Sequence, residues 1–278
     1  MNKYFSIALL SLISCAEEEQ EPINNVVEPA EEPVEITPDP EPDVDHCAPN
    51  EEAEGVRFEG KIEYPDGTMG DGSNTRIHMC SGNCQTAQWG ENGFCYPEGR
   101  LAPGVYSFKV IPFGYEDHAT PLGFITIGEE DVILEEAVKV PAFENKEDIA
   151  DGTFYAGNGL EINVVADGFT PHYGGGEYVS AVSVDPSESG LPIDELPKEQ
   201  IIGMWYLGSF DAVISPEWSL QMIDTDLPVG TTVKILNGSY AERKWVDAGT
   251  ATVRDDGILY SDENAGLSVL STLILIEE

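Results

Sequence analysis

The sequence has very few basic residues. Its 278 residues include 13 Lys and Arg against 52 Asp and Glu, which gives a formal net charge of −39. An acidic excess of this size repels phosphate backbones and disfavours binding of nucleic acids through a basic surface. It equally disfavours adhesion to anionic lipids through clustered Lys and Arg. We therefore expect no nucleic-acid partner.

Long apolar segments are also lacking. The two most apolar runs, residues 4–13 and 267–276, span ten residues each, whereas a transmembrane helix needs about 20. The second run is predicted to be a final buried strand. The first run follows the basic residue Lys3 and is typical of the apolar core of a secretory signal peptide.

This first segment ends in Leu12, Ile13, Ser14 and Cys15. The ending resembles the lipobox of bacterial lipoproteins, in which a cysteine after a small residue is lipidated and becomes the new N terminus. The resemblance implies that residues 1–15 are a lipoprotein signal peptide and that acyl chains on Cys15 anchor the protein to a membrane. An ordinary signal peptide with a chance cysteine is the alternative.

The residues after Cys15 refine the predicted location. Ala16 stands where lipoproteins retained in the inner membrane carry Asp, so the resemblance implies a lipid-anchored protein of the cell envelope, at the outer membrane. The acidic run 17–21 resembles that of some surface-exported lipoproteins, which implies exposure at the cell surface. A solvated tether explains the same run equally well.

Residues 16–55 contain no Lys or Arg. They hold 15 acidic residues and seven prolines, and have too few apolar side chains to offset the entropy lost on ordering. We expect them to form a disordered acidic tether. Residues 56–278 keep the other 37 acidic residues against 12 basic ones, a net charge of −25.

The five cysteines fit an exported protein. Without Cys15, four remain, and an even number in an oxidising compartment indicates two disulfides with three possible pairings. We favour Cys80–Cys84 across a short turn, and Cys47–Cys95 joining the end of the tether to the first domain.

Short alternating runs separated by many of the 28 glycines and 19 prolines predict an all-β fold. We expect two Ig-like or prealbumin-like β-sandwich domains in tandem after the tether. The first covers residues 56–143 and the second residues 159–278, with a linker at residues 144–158.

The first predicted domain carries Gly60, the turn Asn92-Gly93-Phe94, the segment 101–106, and Gly114-Tyr115. In these residues it resembles the carboxypeptidase regulatory-like (transthyretin-like) domain. Members of that family are usually stalks or accessory modules, so the resemblance implies no catalysis.

The latter half of the second predicted domain contains Ser215-Pro216 and the segments 227–231, 245–253 and 265–267. In these residues it resembles the ZU-type β-sandwich of zonula occludens and netrin-receptor proteins. The resemblance covers about 60 residues and leaves residues 159–200 unmatched.

Sequence motifs for catalysis are lacking. There is no Gly-x-Ser-x-Gly elbow, no helical pair of metal-binding histidines, and no phosphate- or dinucleotide-binding glycine pattern. A zinc site would need His78, Cys80, Cys84 and Cys95, and both export and the absence of paired Cys-x-x-Cys spacing disfavour it. We expect no enzymatic activity, no catalytic residue and no cofactor.

Two weaker ligand sites are open from the sequence. Asp66, Asp71 and Asn74 offer oxygen ligands for calcium in one loop, although a turn rich in Asp, Asn and Gly needs no metal. Trp89 and Trp218 flank turns and are candidates for a sugar-stacking face, with packing in the core as the favoured interpretation.

Together these features predict a non-enzymatic, lipid-anchored cell-envelope protein with a structural or adhesive role, whose partner is another envelope protein or a polysaccharide. The alternative is a surface binding protein for carbohydrate or calcium that uses exposed Trp or the acidic loops. A hydrolase is a distant third hypothesis.

Overall fold

The structure of the protein is a computed structural model, which describes Asp45 and residues 47–49, 53–172, 175–193 and 195–278. The predicted signal peptide, the lipidation site Cys15 and most of the predicted tether lie outside the described residues. The described part is almost entirely strands and turns, and the all-β prediction is confirmed.

The strands are short and follow one another in chain order. In the described residues they are β1 (Val56–Gly60), β2 (Ile62–Glu63), β3 (Thr75–Cys80), β4 (Cys84–Thr86), β5 (Gln88–Gly90), β6 (Gly93–Leu101), β7 (Gly104–Pro112), β8 (Leu122–Ile127), β9 (Val132–Ile133), β10 (Val138–Lys139), β11 (Asn145–Asp148), β12 (Gly152–Gly157), β13 (Leu160–Val164), β14 (Phe169–Thr170), β15 (Tyr178–Val184), β16 (Ile201–Gly208), β17 (Val213–Trp218), β18 (Leu220–Met222), β19 (Thr232–Ser239), β20 (Lys244–Val253), β21 (Leu259–Ser261), β22 (Leu267–Val269) and β23 (Thr272–Glu277). Two 3-10 turns accompany them, Ala166–Gly168 and Lys198–Gln200.

Two four-stranded sheets form the first part of the fold. Their strand orders are β5-β6-β1-β9 and β4-β3-β7-β8. The Phe58 ring on β1 lies 5.6 Å from that of Phe94 on β6 and 5.7 Å from that of Phe108 on β7. Because Phe108 belongs to the other sheet, these rings fill the space between the two layers, as in a β-sandwich.

A close backbone approach explains the Asn-Gly turn that the sequence analysis singled out. Gly93 begins β6 with φ of 128°, a conformation that L side chains rarely adopt. A Cβ atom at Gly93 would lie 2.2 Å from the carbonyl oxygen of Gly60 on the paired strand β1. Glycine at position 93 therefore permits this strand pairing.

A ten-stranded antiparallel sheet dominates the second part. Its order is β11-β15-β16-β23-β19-β20-β21-β18-β13-β12, and its two end strands contact each other, so the sheet is nearly closed. A second hydrophobic core fills its interior and includes Phe154, Trp205 and Trp218, all at most 1% exposed.

Three central strands of this sheet are buried on both faces. On β16, Trp205 and Leu207 belong to the core inside the nearly closed sheet, whereas Met204 and Tyr206 belong to the core of the first sandwich. Strands β19 and β23 alternate in the same way. Burial on both faces explains the continuous apolar runs 201–207 on β16 and 272–276 on β23. The described residues belong to one compact unit with a shared core, and the division into two domains stays a prediction.

The segment predicted to be a linker, residues 144–158, contains strands β11 and β12. Strand β11 pairs with β15, and β12 pairs with β13. The residues of β11 are mostly exposed, which explains their acidic composition, while Phe154 and Ala156 of β12 are buried. Backbone pairing holds this segment, because β12 forms a hairpin with the next strand β13 and β11 pairs with the later strand β15. Composition does not report such pairing.

Candidate functional site

The chain enters the described fold at a covalent link. Cys47 is joined to Cys95 by a disulfide, the pairing that the sequence analysis favours, and Cys95 lies fully buried in β6. The Arg57 guanidinium donates a hydrogen bond to the Cys47 carbonyl oxygen, and another to the Glu59 carboxylate at 2.7 Å. It also lies 3.6 Å from the Glu98 carboxylate. A buried arginine and a disulfide therefore hold the entry segment against β1 and β6.

The second disulfide also has the favoured pairing. Cys80 and Cys84 face each other across the β3–β4 turn. The Tyr240 hydroxyl lies 3.2 Å from the Cys80 sulfur and 3.0 Å from the Cys84 sulfur. Both cysteines are thereby consumed, so the zinc alternative that needed their thiolates is wrong. Within the described residues, no group of three or more His, Cys, Asp or Glu side chains is placed to hold a metal ion.

Next to this disulfide a lysine is held in a partly closed cavity. The Lys109 ammonium lies 3.7 Å from the centre of the Tyr240 ring and 5.2 Å from that of Phe210. Burial lowers the pKa of Lys109 to about 8, and the nearby Asp211 opposes that shift. The cavity has a volume of about 260 Å³, and its wall is formed by Lys109, Ile111, Tyr115, Thr120, His172, Gly175, Ser209 and Phe210.

An acidic group stands beside this cavity. The Asp211 carboxylate lies 3.4 Å from His172 Nδ1, and burial raises the pKa of Asp211, while His172 and Lys109 oppose the increase. A lysine whose pKa is about 8 is partly neutral at mildly alkaline pH, and a desolvated group of this kind marks a candidate site. Nothing in the sequence signals it, because the groups that cover Lys109 come about 100 residues later in the chain.

The predicted calcium residues are engaged within their own loop. Asp66 accepts a hydrogen bond from the Thr68 backbone N–H at 2.8 Å, and Asp71 accepts one from the Ser73 N–H at 2.7 Å. The Asn74 side-chain oxygen accepts from the Asp71 N–H at 2.9 Å. Hydrogen bonds from Thr68 and Ser73 lower the pKa values of Asp66 and Asp71. The contacts of Asp66 and Asp71 are those of Asx turns, which form without a metal.

Two of these three residues share a groove. Asp66 and Asn74 line an open groove of about 470 Å³ together with Tyr64, Phe113 and His118. Asp71 is not part of its wall. The structure therefore brings two of the calcium candidates together beside aromatic rings and leaves Asp71 out of that groove.

The two tryptophans have different environments. Trp218 is fully buried: its indole N–H donates to the Val165 carbonyl oxygen at 3.0 Å, and its ring stacks on Phe169 with centroids 6.1 Å apart. Trp218 is therefore packed in the core, which is the interpretation that the sequence favours, and it presents no exposed face for a sugar. Trp89 is half-buried and contacts the Phe94 ring edge-on at 6.2 Å. No shared platform is formed by this pair.

A groove that the sequence analysis missed lies on the second part of the fold. We call it the polar groove; its volume is about 330 Å³, and it is lined by Thr153, Glu161, Asn163, Ser219, Leu220, Gln221, Arg254, Tyr260 and Ser261. The Arg254 guanidinium lies over the Tyr260 ring, 4.4 Å from its centre. Apolar and polar residues alternate along β12, β13 and β21, and this alternation predicts that the polar side chains face away from the core. The sequence does not predict that these strands lie next to one another.

Comparison with known proteins does not assign this chain to a family. No family model, no curated protein and no solved structure matches this chain. The resemblances to lipoproteins, carboxypeptidase regulatory-like domains and ZU-type domains therefore stay predictions. As for membrane spans, no helix in the described residues has the length and apolar character to cross a bilayer.

Proposed function

We propose that this protein is a non-enzymatic, lipid-anchored module of the cell envelope, at the outer membrane, with a structural or adhesive role. In this proposal the acyl chains on Cys15 attach it to the membrane. The predicted tether, residues 16–55, holds the fold away from the bilayer up to its attachment at Cys47, because acidic residues repel each other and prolines stiffen the chain. The all-β unit then meets its partner at a distance from the bilayer.

One observation carries this proposal: the way the N-terminal segment joins the folded unit. A force on the tether reaches Cys47 and passes through a covalent bond to Cys95, in the interior strand β6 of its sheet. The force therefore does not act on the hydrogen bonds between β1 and its neighbouring strands. Arg57 adds a second attachment through the Cys47 carbonyl. Such an arrangement suits a module that is held by its N terminus.

Charge restricts the partner. Residues 56–278 carry 37 acidic and 12 basic residues, so their field repels anionic polymers. A neutral polysaccharide or another envelope protein with a basic or neutral surface is the partner that this charge favours. We do not propose nucleic acid as a partner.

Metabolic labelling with palmitate tests the anchor. The wild type is expected to incorporate label and to fractionate with the outer membrane. Cys15→Ser is expected to lose both properties. Ser14→Ala keeps a small residue before the cysteine and serves as the matched control, which should be labelled like the wild type. Label that persists in Cys15→Ser contradicts the lipoprotein proposal.

A second candidate function, carbohydrate binding, is favoured by one specific observation. The polar groove places an aromatic–guanidinium pair beside hydroxyl, amide and carboxylate side chains. Sugars present hydroxyl groups and apolar ring faces, and a surface that combines polar side chains with an aromatic ring can bind both. This site replaces Trp218, which is buried.

A further inference from the structure

We infer that the polar groove binds a neutral oligosaccharide. The inference rests on the second candidate function and adds to it a ligand class and a set of contact residues. It concerns none of the residues singled out from the sequence.

Free hydrogen-bonding capacity is the first argument. Thr153 on β12, Asn163 on β13 and Ser219 after β17 are exposed at the groove. Within the part of the chain that the structure describes, their side chains make no hydrogen bond. A hydroxyl group both donates and accepts, and so does an amide side chain. Three such groups from neighbouring segments match a ligand that carries several hydroxyls at fixed spacing.

The Arg254–Tyr260 pair is the second argument. Tyr260 is held by a hydrogen bond from its hydroxyl to the Asp256 carboxylate at 3.1 Å, and the Arg254 guanidinium covers its ring. Among the described residues, no carboxylate lies within 4.0 Å of that guanidinium. Its planar set of N–H donors is therefore open to oxygen acceptors of a ligand, such as two neighbouring hydroxyls.

The charge of the groove decides between neutral and acidic sugars. Arg254 and Glu161 are the charged residues of its wall, and they carry opposite charges. Gln221 donates to one Glu161 carboxylate oxygen at 2.5 Å, which fixes that side chain and leaves the other oxygen as an acceptor. An acidic sugar would face this carboxylate and the net charge of −25 on residues 56–278. A neutral sugar donates hydrogen bonds from its hydroxyl groups to the carboxylate and is not repelled.

The dimensions fit a short oligosaccharide. A volume of about 330 Å³ falls within the range of roughly 300–1,000 Å³ typical of ligand pockets. Its exposed side chains lie on the solvent-facing side of the sheet, so the groove does not enclose its ligand. A segment of an oligosaccharide is therefore a better occupant than a small enclosed ligand.

The test uses the detergent-solubilised full chain on an array of neutral glucan, mannan and xylan oligosaccharides and of acidic uronate oligosaccharides. We expect binding to at least one neutral series and none to the acidic series. Arg254→Gln and Asn163→Ala are each expected to weaken that binding by about tenfold or more, because each removes hydrogen bonds to the ligand. Lys244→Gln, an exposed cation outside the groove, is the matched control and should bind like the wild type. Thermal unfolding of each variant verifies that it is folded.

The outcomes separate the inference from the proposed functions. Neutral-glycan binding that survives both groove variants overturns the groove and leaves carbohydrate binding intact at another site. Binding to acidic glycans alone overturns the ligand class. Absence of binding to every glycan overturns both the groove and the second candidate function, whereas the lipid anchor is decided separately by palmitate labelling.

Discussion

The Lys109 ammonium lies 3.7 Å from the centre of the Tyr240 ring. Lys109 stands on β7 of the first sandwich, and Tyr240 follows β19 of the ten-stranded sheet. The Tyr240 hydroxyl in turn contacts the sulfur atoms of Cys80 and Cys84. A cation–π contact and a disulfide therefore meet on one tyrosine, which joins the two parts of the fold.

This contact predicts a pH dependence of stability. Burial lowers the pKa of Lys109 from 10.5 to about 8, so between these pH values the unfolded chain binds more protons than the folded one. The free energy of unfolding should then rise with pH, by up to about 1.4 kcal/mol per pH unit. Lys109→Met should lack this rise and be more stable than the wild type at pH 7. Urea unfolding from pH 7 to 10 measures both effects.

The pH range is limited by the tyrosines. Burial raises the pKa of Tyr240 above its ordinary value of 10.0, so ionisation of tyrosines destabilises the folded state above about pH 10. Lys244→Met removes a positive charge from the surface and is the control. Equal slopes for the wild type and Lys109→Met between pH 8 and 10 would refute the burial of the ammonium.

The two disulfides should differ in their stabilising effect. The Cys47–Cys95 bond spans 48 positions of the chain, and the Cys80–Cys84 bond spans four. In the chain-entropy account, the longer loop contributes about 4 kcal/mol and the shorter about 2 kcal/mol. Urea unfolding of the two double-alanine variants measures the difference. The larger loss in the variant that lacks Cys80 and Cys84 would show that loop entropy is not the main term.

Removing the charge of Arg57 should destabilise the fold strongly. Its side chain is only 9% exposed, and that of Glu98 is 12% exposed. Arg57→Met leaves Glu98 without its buried counter-charge and is expected to cost about 3–5 kcal/mol. Lys244→Met breaks an ion pair with Glu242 at the open surface and should change stability by less than about 1 kcal/mol. Similar losses in both variants, measured by urea unfolding, would contradict this interpretation of Arg57.

Trp218 should behave as a core residue. Trp218→Ala removes a fully buried ring and leaves the Val165 carbonyl without its donor, with an expected loss of about 3–5 kcal/mol. Trp89→Ala, at a half-buried position, should lose less. Thermal unfolding compares the two variants, and a Trp218→Ala protein as stable as the wild type would mean that the ring is not enclosed.

For the central strands of the ten-stranded sheet, the hydrophobic pattern of the sequence predicts burial but not which core each side chain joins. The run 267–276 predicts a buried strand, and β22 and β23 lie there. Its apolar residues do not reveal that Ile274 and Leu275 belong to different cores. A strand covered on both faces has the same composition whether the layers come from one domain or two. Strand β11 shows the converse, because its mostly exposed, polar residues have the composition of a linker although they form a paired strand.

The candidate sites show the same division. The Asp66–Asn74 loop was recognisable because turn-forming residues act within a few positions of the chain. The Lys109 cavity and the polar groove were not, because each combines side chains from strands far apart in the sequence.

The sequence by itself determined the all-β class, the acidic character and the turns, because alternation, charge and turn chemistry are local properties of the chain. It also favoured the disulfide pairing that the structure contains. Only the tertiary structure decided that Trp218 is enclosed, that three strands contribute to two cores, and that Arg254 and Glu161 line a groove with neutral polar side chains. Packing partners decide these properties, because burial and desolvation depend on which distant segments cover a residue.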